Sequence, residues 1–138
     1  MRVVVDTNVL VSALMSPHGP PAAVLQTVIS GAVIPLFDDR ILAEYRAVLA
    51  RPKLRISPRE AEFVVGFIET AGILVTPRPI TAELPDLGDL PFIEVAVSAS
   101  ADALVTGNAR HVTGTPVLGG IPILSPAEFM ALWRSSQG

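Results

Sequence analysis

The chain has 138 residues, half of them apolar, with a mean hydropathy of +0.53, only 5% aromatic side chains and a formal charge of −3. That length suits one domain, expected here to span residues 1–138, with enough chain to bury a core. The absence of cysteine excludes disulfides and thiolate metal centres, and two isolated histidines, His18 and His111, cannot build a zinc site, so any metal would be a hard cation held by oxygen.

Arg2 to Asp6, a β-branched run ending in an acid, reads as a strand, and Asp6 interrupts the apolar start too early for a signal peptide. Thr7 to Met15 has helical spacing, with Val9, Leu10, Ala13 and Leu14 on one face. Ser16 to Pro21 is a turn. It divides the stretch 7–37, which lacks Asp, Glu, Lys and Arg. The apolar remainder, Ala22 to Ile34, is shorter than the ~20 residues of a spanning helix, so the protein is expected in the cytoplasm with no membrane contact.

Ala22 to Ser30 predicts a second helix closed by Gly31, and Ala32 to Phe37 a second strand. Asp38 or Asp39 caps a third helix running to about Ala50, ahead of Pro52. Ser57-Pro58-Arg59-Glu60 opens a fourth helix with a cap, a proline and an acid in order; it runs to Ala71 and stops at Gly72. Ile73 to Thr76 is a third strand, and Pro77 to Pro91 a proline-rich loop. A helix from Phe92 to about Ala101, a strand from Ala103 to Thr106 and a loop from Gly107 to Gly120 follow. Ile121 to Leu124 is a fifth strand, and Ser125-Pro126-Ala127-Glu128 opens the last helix.

These strands are continuously apolar rather than alternating, as in a parallel sheet covered on both faces. Their alternation with helices predicts an α/β fold, a three-layer α/β/α sandwich around a central, mainly parallel sheet of four or five strands. The apolar surplus suggests that a partner or a second copy covers part of the surface.

Ligands of a parallel sheet bind beyond the carboxyl ends of its strands. Asp6 ends the first strand and Thr106-Gly107-Asn108 the fourth, which places both on one edge. Asp6 is equally at home there as a helix cap. On the third helix Ile41, Leu42, Tyr45, Val48 and Leu49 form an apolar arc, and Glu44 falls about 40° outside Val48, on its rim. A rim carboxylate can reach a neighbouring cleft or simply decorate the helix. Asp86 and Asp89 precede the fifth helix, where they too could be caps. Glu94, on the face of that helix opposite Phe92 and Ala96, is expected to be solvated. Asp6, Glu44 and Asp89 come from three elements that such a sheet can bring together. Clustered carboxylates repel an anionic phosphodiester unless they hold a divalent cation, and oxygen-only ligands suit Mg²⁺ or Mn²⁺. Thr7, Asn8 and Thr106 could hydrogen-bond the acids or only their local turns.

Val3-Val4-Val5-Asp6-Thr7-Asn8-Val9-Leu10 resembles the opening strand and helix of PIN-domain nucleases. Asp86-x-x-Asp89-x-x-Phe92-Ile93-Glu94 and Ala101-Asp102-Ala103-Leu104-Val105-Thr106-Gly107-Asn108 resemble the C-terminal half of their bacterial toxin-like branch, the VapC-like ribonucleases. The resemblance covers nearly the whole chain. It implies an endoribonuclease that cleaves single-stranded RNA with Mg²⁺ or Mn²⁺ held by Asp6, Glu44 and Asp89, with Asp86 as an additional acid. It also implies a small antitoxin partner and a homo-oligomer, a dimer first of all. The fourth acid of many such proteins falls at Asn108, an amide that can ligate but adds no charge. That departure leaves the second metal position open.

Six of the ten basic residues, Arg40, Arg46, Arg51, Lys53, Arg55 and Arg59, fall within one short stretch. They form either a solvated surface or an RNA contact, with Arg51, Lys53 and Arg55 as the candidates. A dehalogenase-type phosphatase would want an acid where Asn8 stands, and the only lysine is Lys53. The rival from another class is a PIN-like protein-binding module without catalysis, which Asn108 and the apolar content both allow.

Overall fold

In the computed structural model of the chain, Val3, Val4 and Val5 are 0%, 0% and 2% exposed, buried on both faces as a central parallel strand must be. The structure describes residues 1–80, 90–107, 117–118 and 120–137. Its elements are β1 (Arg2–Val5), α1 (Thr7–Met15), α2 (Pro20–Ile29), β2 (Ile34–Phe37), α3 (Asp39–Leu49), α4 (Pro58–Ala71), β3 (Ile73–Leu74), α5 (Leu90–Ser98), β4 (Ala103–Val105), β5 (Val117–Leu118), β6 (Ile121–Leu124) and α6 (Pro126–Ser136), with one 3-10 turn at Pro52–Leu54.

The strands form one sheet in the order β3-β2-β1-β4-β6-β5. Every pairing is parallel except the last, where β5 runs antiparallel to β6. The chain builds outward from β1 through β2 to β3, then returns to lay β4 against the free side of β1. The strand order therefore reverses between β1 and β4. On one side α5 lies on β1, β2 and β4 and touches α3, which packs on α4; on the other, α6 lies on β4 and β6 and contacts α2, which packs on α1. This is the expected three-layer sandwich with a mainly parallel sheet.

Helix starts follow the local chemistry. Asp38 caps α3 by accepting from the Ile41 N–H at 3.0 Å, and Ser125 and Glu128 form a reciprocal capping box on α6. Prolines account for two departures from the sequence reading. Pro20 and Pro21 occupy the first turn of α2, and Pro91 the first turn of α5, rather than the loops expected there. A first-turn residue has no intrahelical acceptor for its N–H, so proline loses nothing in that position. β3 stops at Leu74 rather than Thr76, and Val117–Leu118 adds a short strand where loop was expected.

Two glycines on one helix and its exit make opposite demands. A Cβ at Gly72 would lie 2.5 Å from the Pro35 carbonyl oxygen and 2.6 Å from that of Ile68, so the backbone joining α4 to β3 must move to admit it. Within α4, a Cβ at Gly66 would meet nothing nearer than a Glu62 side-chain oxygen at 3.8 Å. Gly72→Ala is therefore expected to lower unfolding free energy in urea by about 2–3 kcal/mol. Gly66→Ala should raise it by about 0.5–1 kcal/mol through helix propensity. Shifts of the same sign at both positions would contradict this packing.

Candidate functional site

The carboxyl edge between β1 and β4 collects the first group of polar side chains. Asp6 directly follows β1, its N–H donating to the Val105 carbonyl at 2.9 Å. Thr106, directly after β4, donates its hydroxyl to Asp6 Oδ2 at 2.8 Å. Asn8 approaches the same oxygen through Nδ2 at 3.4 Å, while its Oδ1 accepts from the Gly107 N–H at 2.9 Å. The amide of Asn8 thus braces the first turn of α1 against the turn after β4. Gly107 leaves room for it, since a Cβ there would come within 3.3 Å of Asn8 Oδ1.

Glu44 reaches this edge from α3. Half-buried, it accepts a hydrogen bond from the hydroxyl of Thr7, the residue after Asp6. Tyr45 is buried beside it and donates its phenol to the Val5 carbonyl, tying α3 to the end of β1. Burial pushes the Tyr45 phenol far above its ordinary pKa, and the negative charges of Asp6, Glu44 and Asp38 push it further. One phenol that senses three carboxylates marks a common acidic neighbourhood.

Of the residues that the sequence singled out, the structure thus brings together Asp6 and Glu44, with Thr7, Asn8 and Thr106 as hydrogen-bond partners. Asp86, Asp89 and Asn108 lie outside the described residues. Among the described residues no group of three or more acidic or imidazole side chains is disposed to hold a metal ion. The pair that is described nevertheless fits a hard divalent cation. Both ligands are oxygen, and Glu44 is held by a neutral hydroxyl and pairs with no lysine or arginine among the described residues.

Glu94 departs from expectation. Instead of facing solvent it is 5% exposed, on a helix whose Phe92, Ile93, Val95 and Ala96 are also buried. α5 has no wet face at that level, so the carboxylate must be satisfied from within. Arg40 does this through Nη1 at 2.7 Å, and the Ile80 N–H donates to the other oxygen at 3.0 Å. Arg40 also binds Asp38 Oδ2 through Nε at 2.8 Å, and Asp38 is likewise 5% exposed. The Arg40 guanidinium, followed by the Ile80 N–H, holds the Glu94 carboxyl below the usual glutamate range.

The basic stretch divides in two. Arg40 is committed to Asp38 and Glu94, and Arg46 to the exposed Glu62 and Glu69 at 3.2 and 3.0 Å. Arg51, Lys53 and Arg55 are exposed and form no ion pair among the described residues. Arg51 and Arg55 line a cavity of about 400 Å³ together with Leu49, Ile56 and Val65. Arg55 adopts a left-handed backbone (φ 53°), which is uncommon for a residue with a side chain.

The Asp38–Arg40–Glu94 network and the Tyr45 anchor were not anticipated from sequence. One signal for the network was available: Glu94 is the only charged residue in the nine of α5. A lone charge in such a helix is buried more readily than solvated when the helix is covered all round.

Compared with known families, residues 2–110 match the PIN domain. An uncharacterized protein of Methanocaldococcus jannaschii is similar, 29% identical over 112 residues that cover 78% of this chain and 71% of the relative. No solved structure matches the chain at a significant level.

A lowered carboxyl pKa in the folded state stabilises the fold above the ordinary glutamate value of about 4.3, and that contribution disappears as pH falls through the lowered value. Glu94→Gln is therefore expected to melt below the parent protein near neutral pH, with the gap narrowing on acidification below about pH 4.3. Melting curves across that range check it; a gap that does not change with pH would rule out the charged pair as its source.

Proposed function

The chain belongs to the PIN domain family, whose members are in general metal-dependent nucleases, and on that premise we propose that it is an endoribonuclease that hydrolyses single-stranded RNA. The observation that carries this reading is the meeting of Asp6 and Glu44 at the point where the strand order reverses, each carboxylate held by a threonine hydroxyl. Asp6, Glu44 and Asp89 would hold a Mg²⁺ or Mn²⁺ ion, with Asp86 and Asn108 as further oxygen donors; bound there, the ion supplies positive charge at the phosphodiester and makes its water a better nucleophile.

The chain's own groups keep those acids ready. Thr106 and Asn8 orient Asp6, and Thr7 orients Glu44. Thr7 is a neutral donor, so Glu44 keeps its charge for a cation. Tyr45 stays protonated and fixes the helix that carries Glu44. Asp38 and Glu94 share the single Arg40 guanidinium, which is thereby committed away from Glu44.

In this reading Arg51, Lys53 and Arg55 contact the RNA backbone, and residues 1–138 act as one domain in the cytoplasm. No helix among the described residues is long and apolar enough to cross a membrane. We extend the proposal to a toxin of a toxin–antitoxin pair, with a small antitoxin as protein partner and a dimer as its working form. Exposed Phe63 and Leu74, 61% and 62% accessible, support an apolar surface that a protein partner covers.

Purified protein is expected to cut single-stranded RNA with Mg²⁺ or Mn²⁺ and to stop on chelation. Asp6→Asn, Glu44→Gln and Asp89→Asn should each reduce the rate by at least about 100-fold, since even the partners of metal ligands are worth about 10- to 100-fold. Cleavage that survives these substitutions or the chelator would remove the nuclease reading. A noncatalytic binding module would show no Mn²⁺-dependent rise in melting temperature. Neutralising Arg51, Lys53 and Arg55 together should lower the slope of log affinity against log salt by about 2, at about 0.7 per phosphate contact on a single strand. An unchanged slope would take those residues out of the RNA path.

A further inference from the structure

Four of the six large apolar side chains that stand exposed among the described residues, Ile34, Phe63, Ile73 and Leu74, belong to α4 or to the β2–β3 edge it leads into. Phe63 is 61% exposed, and the half-buried Phe67 ring lies 6.5 Å from it, one turn along α4. Gly66 falls between them in sequence. Glycine weakens a helix interior, yet a Cβ here would meet nothing nearer than a Glu62 side-chain oxygen at 3.8 Å. No described neighbour within the chain therefore needs the small residue. The gap it leaves faces outward, since α4 buries Val64, Val65 and Ile68 on its other side.

Arg59, Phe63, Gly66 and Thr70 recur at steps of four, three and four along α4. At ~100° per residue they fall within about 60° of the helix circumference, a stripe that carries a cation, a knob, a gap and a hydroxyl in order. An antiparallel two-fold centred between Val64 and Val65 pairs that stripe with itself. Phe63 then meets Gly66 of the second copy, and each ring enters the gap that a missing side chain leaves. Arg59, exposed and without an ion pair among the described residues, comes over the last turn of the second copy's α4. The carbonyl end of a helix dipole favours a cation there. Glu62 and Glu69 stay outside the stripe, tied to Arg46. A different protein would cover the apolar surface equally well, but would not explain why one half of the helix matches the other.

We infer that the outer face of α4 is the contact of a two-fold dimer, in which a second copy of this chain packs its α4 antiparallel and Phe63 of each copy seats on Gly66 of the other. This rests on the dimer reading given above, supplies its interface, and is independent of RNA cleavage. Two-fold contacts of this self-complementary kind are the usual form of a homodimer. One helix pair is a small interface, so association is expected at about 1–100 µM rather than at nanomolar concentration.

Sedimentation of the full chain from about 1 to about 300 µM, with chelator present, follows the step from monomer to dimer. Phe63→Ser and Gly66→Gln should each raise the dissociation constant at least about tenfold. Gly66→Gln should nevertheless melt no lower than the parent where both are monomeric, because glutamine favours the helix. The chain has no cysteine, so added thiols report the register directly. Arg59→Cys together with Thr70→Cys should give an oxidised dimer. Either alone should not, because like positions lie about 16 Å apart along such an antiparallel pair, beyond disulfide reach. A parent chain that stays monomeric throughout would overturn the dimer reading and this interface together. A dimer that survives both Phe63→Ser and Gly66→Gln would keep that reading and overturn the interface. Cross-linking of either single cysteine variant would overturn the antiparallel pairing.

Discussion

A stretch of strand hydrogen-bonded along both edges and covered on both faces has no place for an unpaired charge, and Val3 to Val5 of β1 is such a stretch. Val3, Val4 and Val5 meet β2 on one side and β4 on the other. The first position after them where an ionised side chain can reach polar partners is Asp6. That constraint accounts for much of what surrounds it. The sheet order reverses beside β1, and the carboxyl edge at such a reversal is where open parallel sheets bind ligands. Thr106 can meet Asp6 because β4 pairs in register with β1, Val5 opposite Val105, and delivers its next residue to the same level. Glu44 can join them because Tyr45, its neighbour, is locked against the last carbonyl of β1.

The charges of this region follow two regimes. Asp6 and Glu44 are half-buried and held by hydroxyls, which orient a carboxylate without cancelling it. Asp38 and Glu94 are almost fully buried and share one guanidinium. Removing water from a carboxylate is costly, and the attraction to a single arginine recovers that cost only when the hydrogen bonds are well aligned. Here each buried acid has a second donor from the backbone, the Ile41 N–H for Asp38 and the Ile80 N–H for Glu94. Compared with apolar side chains of similar volume the arrangement gains little stability, although breaking it is costly. Its effect is directional: it fixes where two helices and an extended segment meet.

Local signals in the sequence were sufficient for the scaffold. A run of valines ended by an acid marked β1 and Asp6, Ser-Pro-x-Glu marked the starts of α4 and α6, and the angular place of Glu44 put it at the rim of α3, where it is found. Proline misled where its preference for loops and its tolerance in a first helical turn make the same local sequence, at Pro20, Pro21 and Pro91. β5 was invisible because two residues carry no periodicity; Val117–Leu118 is a strand only because β6 lies alongside. Glu94 was misassigned for a related reason. Whether a helical position faces water depends on what covers it, and its partner Arg40 is 54 residues away. A helix wheel assigns positions to sides but cannot say which sides are wet.

Tyr45 is the chain's only tyrosine, and its phenol is buried against Val5 and ringed by negative charge. In alkaline solution an exposed tyrosine ionises and its ultraviolet absorption moves to longer wavelength. This one stays silent for as long as the junction between β1 and α3 remains closed. Tyrosinate absorbance therefore reports, without any added label, the moment at which that junction opens.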